Sequence, residues 1–361
     1  MMAVITSTNA FKQLSTVCFS AAFAFSIAER SAATTLTYSP QFDSASRYTT
    51  VISGNGDVAD IYYPTVAATS SDNTTFPIAL LLQGALVDKS FYSDYASLVA
   101  RYGFVVVVPN HFRPFPTIPN APPSLLPETS QVGAVLSQLT LENQQSTSPL
   151  FGKVDTQLLG LLGHSFGAAV GLSVIANQCL TFLCPTPFVR PPELKAGIFY
   201  GANLRDQITN EFIPIANDGI GIGLIQGDRD GVALPERAER TFDNIQTPPK
   251  LLATLLGANH FGITNINNPP GAVPDRNVPT LDQAVGVETI ARWSGLFLRS
   301  SLLNDPVAFD YIYSSGDALD PNIQVASAAV PEPSTIAGIL SFSLLSMGYK
   351  ARRKNRERVD R

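Results

Sequence analysis

The stretch LLGLLGHSFGAAVGLSVIA, residues 158–176, decides the fold of this chain. Its leucines surround Gly160, and a short apolar run of this kind is typical of a buried strand in a parallel sheet. Gly163-His164-Ser165-Phe166-Gly167 follows, and the small apolar residues after it predict a buried helix. A strand, G-x-S-x-G and a helix in this order predict a sharp turn that presents the hydroxyl of Ser165 at the sheet edge.

The glycines of this motif have a steric reason. A side chain at Gly163 or Gly167 would collide with the crossing backbone, so the turn requires glycine at both positions. G-x-S-x-G by itself also occurs by chance, and an ordinary glycine-rich turn is the alternative. The strand before the motif and the small-residue helix after it favour the sharp turn.

Composition excludes several classes of protein. The chain has 361 residues, of which 45% are apolar and 15% charged, and its formal net charge is -5. These values are typical of a globular protein rather than a disordered one. No basic patch precedes the extreme C-terminus, so we expect no nucleic-acid partner. The three histidines are scattered and no G-x-G-x-x-G or P-loop occurs, so we predict neither a metal site nor a cofactor.

Strands and helices alternate around the deciding stretch. Strand formers at 47–53 and 57–63 flank Gly54-Asn55-Gly56, which is a strong hairpin signal. Further strands are predicted at 78–82, 104–108, 158–162, 195–200, 220–226 and 251–256, and helices at 90–102, 128–144, 235–245 and 287–303. The pattern predicts an α/β fold with a mostly parallel central sheet, helices on both faces and an antiparallel N-terminal hairpin at one edge.

Ser165 is a weak nucleophile and needs a base to take its proton. His260 follows a predicted strand in a glycine-rich loop, which is where such a base would lie. His164 adjoins Ser165 and should point away from it, in a packing role. His111 lies in a loop at a strand end, and we favour a structural role over one in lining the site.

A catalytic histidine also needs a carboxylate that fixes its tautomer and stabilises the imidazolium. Asp228 and Asp230 both lie just past the end of a predicted strand. Either of them satisfies this requirement. With Ser165 first and His260 last, the chain order is serine, acid, histidine.

Four segments of the chain resemble a known family. They are LLLQGALVDKSFYSDYASLVARYGFVVVVPNHF at 80–112, GHSFGA at 163–168, GDRDG at 227–231 and GANHFG at 257–262. Residues 57–300 resemble an α/β hydrolase, nearest to the chlorophyllase, cutinase and polyester-hydrolase branches. The resemblance implies an α/β-hydrolase fold and a secreted serine hydrolase that cleaves carboxylic esters through an acyl-enzyme.

The resemblance also implies residue roles. In the family the acid lies three residues past the glycine that closes its strand, which favours Asp230, while Asp228 caps the loop or pairs with the neighbouring arginine. The oxyanion hole should use the backbone N–H of Phe166 and one from the loop after residue 82. Where the family often has His-Gly-x, this chain has Gln83-Gly84-Ala85. The second donor is therefore Ala85, with Leu86 as the alternative.

Residues 1–33 are predicted to form a secretory signal peptide. Lys12 supplies a positive charge before a mostly apolar stretch at 14–28, followed by small-residue cleavage sites. A buried N-terminal helix is the alternative. Cys18 would leave with the signal, so Cys179 and Cys184 remain, and in an oxidising compartment they would form a disulfide. Two free thiols are the alternative.

The C-terminus carries a second sorting signal. Val330-Pro331-Glu332-Pro333-Ser334 precedes an apolar stretch at 335–349 and a basic end at 350–356. The apolar stretch is short for a membrane span, which needs about 17–25 residues. Residues 326–361 resemble a PEP-CTERM sorting tail, which implies transient membrane anchoring, cutting by an exosortase and release to the cell surface. A plain tail anchor or an interfacial helix is the alternative. Residues 34–325 then form the catalytic domain.

The substrate stays open at this stage. The resemblance implies a small-molecule or lipid-like ester, including bulky apolar esters of the kinds that chlorophyllases, cutinases and lipases cleave, and amides or thioesters would use the same groups. A membrane-retained lipase would differ only in the processing of its tail. A non-catalytic surface or matrix protein with a hydrolase fold is the hypothesis from another class, because a fold does not fix a function.

Overall fold

The computed structural model describes residues 38–66, 74–116, 118–186, 188–206 and 208–329. The predicted signal peptide at 1–33 and the PEP-CTERM signature with its apolar and basic segments lie outside these residues. None of the helices within the described ranges combines the length and apolarity needed to cross a membrane.

Eleven strands and seven α-helices are found in the described ranges. The strands are β1 (Ala45–Val51), β2 (Val58–Pro64), β3 (Phe76–Leu82), β4 (Val105–Asn110), β5 (Phe112–Arg113), β6 (Ser124–Leu125), β7 (Val154–His164), β8 (Leu194–Tyr200), β9 (Gly221–Gly227), β10 (Lys250–Leu255) and β11 (Ile323–Ala328). The helices are α1 (Ser93–Ala100), α2 (Gln131–Gln144), α3 (Phe166–Ile175), α4 (Pro235–Asp243), α5 (Gln283–Leu303), α6 (Pro306–Asp310) and α7 (Gly316–Leu319). A 3₁₀ turn, Lys89–Tyr92, precedes α1, and a π-helical turn, Tyr311–Ser315, joins α6 to α7.

Nine of these strands form one central sheet in the order β1-β2-β4-β3-β7-β8-β9-β10-β11. The six central strands from β4 to β10 in this order are parallel, and β2 and β11 run against their inner neighbours. The hairpin of β1 and β2 closes one edge. The predicted fold class, a mostly parallel sheet with an antiparallel N-terminal hairpin, is therefore confirmed.

Successive side chains of the central strands pack on opposite faces of the sheet. Leu81 of β3 packs in the apolar cluster that also contains Val99 of α1 and Trp293 of α5. Its neighbour Leu80 packs in the cluster on the other face, which includes Val170 of α3. Because successive side chains of a strand point to opposite faces, one continuous apolar run fills both layers of the core.

The last strand predicted from the sequence, 251–256, is present as β10, and the structure has one further strand after it. After α5 the chain continues through two short helices into β11, which pairs antiparallel with β10 from Leu255↔Ile323 to Lys250↔Ala328. Most side chains of β11 are exposed or half-buried because it forms the sheet edge, so it carries no apolar run for sequence to reveal. The predicted domain boundary between residues 325 and 326 lies inside this strand.

The carboxyl ends of the parallel strands share one edge of the sheet, and the loops that follow β3, β7, β9 and β10 meet there. The described chain enters β1 and leaves β11 at the opposite end of the strands, where the parallel strands begin. Ala45 pairs with Pro64, and Ala328 pairs with Lys250 at the start of β10. The carboxyl edge is thus free for a site formed by loops.

Candidate active site

Ser165 forms the turn between β7 and α3. Its backbone angles are φ 54° and ψ -117°, a conformation that non-glycine residues rarely adopt. The backbone N–H of Ser165 donates to the carbonyl oxygen of Tyr200 at 2.9 Å, and this hydrogen bond stabilises the strained conformation. The side chain is half-buried at the carboxyl edge of the sheet.

The glycines of the motif are required by close approach, as predicted. A Cβ added at Gly167 would overlap the carbonyl oxygen of Leu82 at the end of β3. One added at Gly163 would lie 2.9 Å from the Cα of Ala168. The helix can therefore start directly at the end of the strand only with glycine at both positions.

Two hydrogen bonds connect Ser165 to the two partners named from the sequence. The Oγ of Ser165 lies 2.9 Å from Nε2 of His260, and Nδ1 of His260 lies 2.8 Å from Oδ2 of Asp230. A carboxylate only accepts, so Nδ1 carries the proton and Nε2 is free to accept from the serine hydroxyl. His260 and Asp230 are 3% and 1% exposed, so the bond between them is shielded from water, whereas Ser165 itself is half-buried.

The carboxylate of Asp230 is fixed by further donors. Its Oδ1 accepts from the backbone N–H groups of Val232 at 2.8 Å and Ala233 at 2.7 Å. Its Oδ2, which faces His260, also accepts from Nε2 of Gln226 at 3.2 Å. These donors hold the acid in one orientation toward the imidazole.

Asp228 has a different task. It is exposed, and its Oδ1 accepts from the backbone N–H of Gly257 at 2.7 Å. It therefore caps the loop after β10, and capping a loop is one of the two roles expected for Asp228.

The two predicted oxyanion donors have no internal partner. Neither the N–H of Phe166 nor that of Ala85 donates to any acceptor in the described part of the chain. Leu86, the alternative, is committed, because its N–H donates to the carbonyl oxygen of Leu125 at 2.8 Å. This difference favours Ala85 over Leu86.

Ser165 and His260 open into a cavity of about 180 Å³. Its other walls are mostly apolar and include Val87, Phe115, Val232, Phe261, Ala272 and Val273. No Asp, Glu, Lys or Arg side chain is among the described residues that line it. The cavity suits an apolar, uncharged group beside the serine.

Asp275 is a residue of the site that sequence reasoning missed. It is 4% exposed, and its Oδ2 accepts from the backbone N–H of His260 at 2.9 Å and that of Gly231 at 3.0 Å. It ties the loop that carries Asp230 to the loop that carries His260. It lies in a Pro- and Asn-rich loop without periodicity, so no sequence signal identified it.

His164 is buried, as predicted, but it does not turn away from the site. Its ring centroid lies 4.8 Å from that of His260, and it hydrogen-bonds to Tyr92 and to the backbone of His260. Burial and the neighbouring His260 hold its pKa well below 6.5, so the ring is neutral. Tyr92 was expected only as part of a helix and went unnoticed.

His111 has a structural environment, the role that we favoured. It is 8% exposed, with Nδ1 2.9 Å from Oδ1 of Asp57 and Nε2 3.8 Å from Oε2 of Glu128. Arg113 joins the same cluster at 3.8 Å from Glu128. The cluster anchors the chain after β4 to the carboxyl edge.

Cys179 and Cys184 form a disulfide just after α3. This is the pairing suggested from sequence. Within the residues that the structure describes, no three His, Cys, Asp or Glu side chains are grouped so that they could hold a metal ion.

Comparison with known proteins bears on the fold. The family model described as chlorophyllase matches residues 46–183. The chain has an α/β-hydrolase fold. The matched segment of this hydrolase fold covers β1 to α3, including Ser165, and ends before Asp230 and His260.

Two curated relatives are each named "Chlorophyllase-1, chloroplastic", one from Citrus unshiu and one from Citrus sinensis. Each is 27% identical over 132 residues, which is 33% of this chain and 38% of the relative. The match thus spans well under half the length of either relative. It supports a protein of the α/β-hydrolase kind and leaves the activity of this chain to be proposed.

Proposed function

We propose that this chain is a serine hydrolase that cleaves carboxylic esters through an acyl-enzyme. One observation carries the proposal: an unbroken hydrogen-bond chain from Ser165 through His260 to Asp230, at the mouth of an apolar cavity. A serine, an orienting acid and a histidine in this relation are the components of nucleophilic acyl transfer.

The proposed reaction uses this geometry. Oγ of Ser165 attacks the ester carbonyl carbon while its proton passes to Nε2 of His260. Asp230 stabilises the imidazolium that forms. The negative oxygen of the tetrahedral intermediate accepts from the N–H groups of Phe166 and Ala85, which have no partner among the described residues.

The intermediate then breaks the bond to the alkoxide, which takes the proton from His260 and leaves as an alcohol. The acyl group stays on Ser165. Water attacks this acyl-enzyme, gives its proton to His260, and releases the carboxylic acid as the serine regains its hydrogen. No group outside the chain and water is needed to balance these steps.

We further propose that the substrate is a neutral, apolar ester with one part small enough for the cavity. A volume of about 180 Å³ is comparable with the engineered 150 Å³ cavity that binds benzene. A bulky second part of the ester, such as the chlorophyllase likeness suggests, would lie outside. Turnover of p-nitrophenyl esters with acyl groups from acetate to palmitate tests this proposal. An ester with a charged acyl group should be turned over poorly.

Export remains part of the proposal. The disulfide between Cys179 and Cys184 is of the kind that persists in oxidising compartments, which supports export through the predicted signal peptide. The PEP-CTERM likeness and the exosortase that it implies as a partner rest on the sequence alone. Ala328, next to the last described residue, pairs with Lys250 at the start of β10, whereas Ser165 follows the end of β7. The mass of the mature protein would reveal whether residues after Ser334 are removed.

The deciding experiment replaces Ser165. We expect Ser165→Ala to lower kcat for p-nitrophenyl butyrate by up to about 10⁶, by analogy with serine proteases. Ser173→Ala is the matched control, because Ser173 is a buried serine of the helix that follows Ser165, and its hydroxyl donates to the carbonyl oxygen of Gln178 rather than to a histidine. A fluorophosphonate probe should label the wild type and Ser173→Ala but not Ser165→Ala. An unlabelled wild-type chain would instead favour a non-catalytic surface protein with a hydrolase fold.

A further inference from the structure

A line of buried hydrogen bonds crosses the site beneath Ser165. The backbone N–H of Gly84 donates to the hydroxyl oxygen of Tyr92 at 2.8 Å. That hydroxyl lies 2.9 Å from Nδ1 of His164, and Nε2 of His164 lies 2.9 Å from the carbonyl oxygen of His260. Tyr92 and His164 are both 0% exposed, so water does not compete for these bonds.

The protons in this line have only one consistent arrangement. The carbonyl oxygen of His260 only accepts, so Nε2 of the neutral His164 carries the hydrogen. Nδ1 must then accept, and Tyr92 donates to it. The phenol stays protonated because burial raises its pKa. Its oxygen is left to accept from Gly84, so every polar atom has a partner.

The line joins two loops with different tasks. Gly84 immediately precedes Ala85, whose N–H is the second proposed oxyanion donor. The carbonyl at the other end belongs to His260, the proposed base. The contact at Gly84 is tight, because a Cβ there would lie 2.7 Å from Nδ1 of His164. The loop therefore rests directly on the buried ring.

We infer that Tyr92 and His164 are positioning residues that hold the Ala85 N–H and the His260 imidazole at a fixed separation. The inference rests on the proposed function, since it explains how that site keeps its geometry. Neither side chain would touch the reacting atoms. Both the oxyanion donor and the base act in the transition state, so loss of the line should lower kcat more than it changes KM.

The chain offers a matched pair of tyrosines for the test. Tyr92 and Tyr95 are 0% and 1% exposed and lie three residues apart. The hydroxyl of Tyr95 donates to Oγ of Ser294 at 2.9 Å, away from both loops. Tyr92→Phe and Tyr95→Phe each remove one buried hydroxyl, but only Tyr92→Phe breaks the line of hydrogen bonds between Gly84 and His260.

We expect Tyr92→Phe to lower kcat by about 10- to 100-fold, with KM changed less than about threefold. This is below the effect of deleting an oxyanion donor, about 10²–10³, because the donor is displaced rather than removed. Tyr95→Phe should keep the wild-type kcat. Both variants should unfold at similar urea concentrations, because each loses one buried hydroxyl. Equal kcat values in the two variants, with an active wild type, would overturn the inference.

A second pair covers the case in which Tyr92→Phe does not fold. His164→Gln keeps a donor able to reach the carbonyl oxygen of His260, whereas His164→Phe keeps none. We expect kcat of the Phe variant to be at least about tenfold below that of the Gln variant. Equal values would contradict the inference. An inactive and unlabelled wild type would instead refute the proposed function itself, so the two failures are distinguishable.

Discussion

Replacing His111 by Gln should remove a pH-dependent part of the stability of this protein. Burial opposes the charge on His111, but hydrogen bonds and charges from Asp57 and Glu128 outweigh it and raise the pKa to about 9. The ordinary value for the group is 6.5. The folded protein therefore binds a proton here that the unfolded chain has already released at neutral pH.

The size of the effect follows from these two pKa values. Each pH unit between them corresponds to about 1.4 kcal/mol, so the protonated His111 contributes about 3 kcal/mol to the free energy of unfolding. Because the folded pKa is the higher one, this contribution is fully present below pH 6.5. It declines as the pH rises from 6.5 and is lost above about 9.

Urea denaturation of the wild type and His111→Gln at about pH 6 and about pH 9.5 measures this contribution. The wild type should lose about 3 kcal/mol more than the variant between the two conditions, because other titrating groups are common to both. Asp57→Asn serves as a control: it removes the nearest carboxylate and should shrink the difference while His111 remains. Equal losses in the wild type and His111→Gln would refute the reasoning.

Three further predictions concern the site and its surroundings. Asp230→Asn should lower kcat by about 10³–10⁴, whereas Asp228→Asn, which keeps a side-chain oxygen that can accept from Gly257, should stay within about threefold of the wild type; similar kcat values would contradict this assignment. Replacing Cys179 and Cys184 by Ser should lower the free energy of unfolding by about 2 kcal/mol, as expected for so short a closed loop, and an unchanged urea midpoint would argue against it. Val273 lines the cavity and is 67% exposed, so Val273→Trp should reduce turnover of p-nitrophenyl octanoate more than that of the acetate; equal reductions would exclude a role at the mouth.

Much of the fold was predictable because its signals are local. The apolar runs of the parallel strands are buried on both faces, so they stand out in the sequence at nearly their observed bounds. The turn at Ser165 was recognisable because close approach admits only glycine on either side of it. Even the helix predicted at 90–102 needed only a correction of detail, since its first turn is 3₁₀ and α1 ends at Ala100.

The site residues that directly follow the ends of parallel strands were predictable. Loops after parallel strands meet at one edge, so Ser165 and His260 could be named before their separation was known. The hydrogen bonds bring both together with Asp230, and their catalytic roles remain predictions for the experiments above.

The sequence by itself determined the sheet, its helices, the strained turn and a short set of candidate residues, because these depend on neighbours in the chain. Only the tertiary structure decided which aspartate faces the imidazole of His260. It also placed Asp275 and His164 in hydrogen bonds with the backbone of His260, and Tyr92 in a hydrogen bond with His164. Edge strand β11 belongs to the same class, since its partner lies far away in sequence. The physical reason is common to all of them: a hydrogen bond between distant segments leaves no periodic trace in either one, and it becomes visible only when folding brings donor and acceptor together.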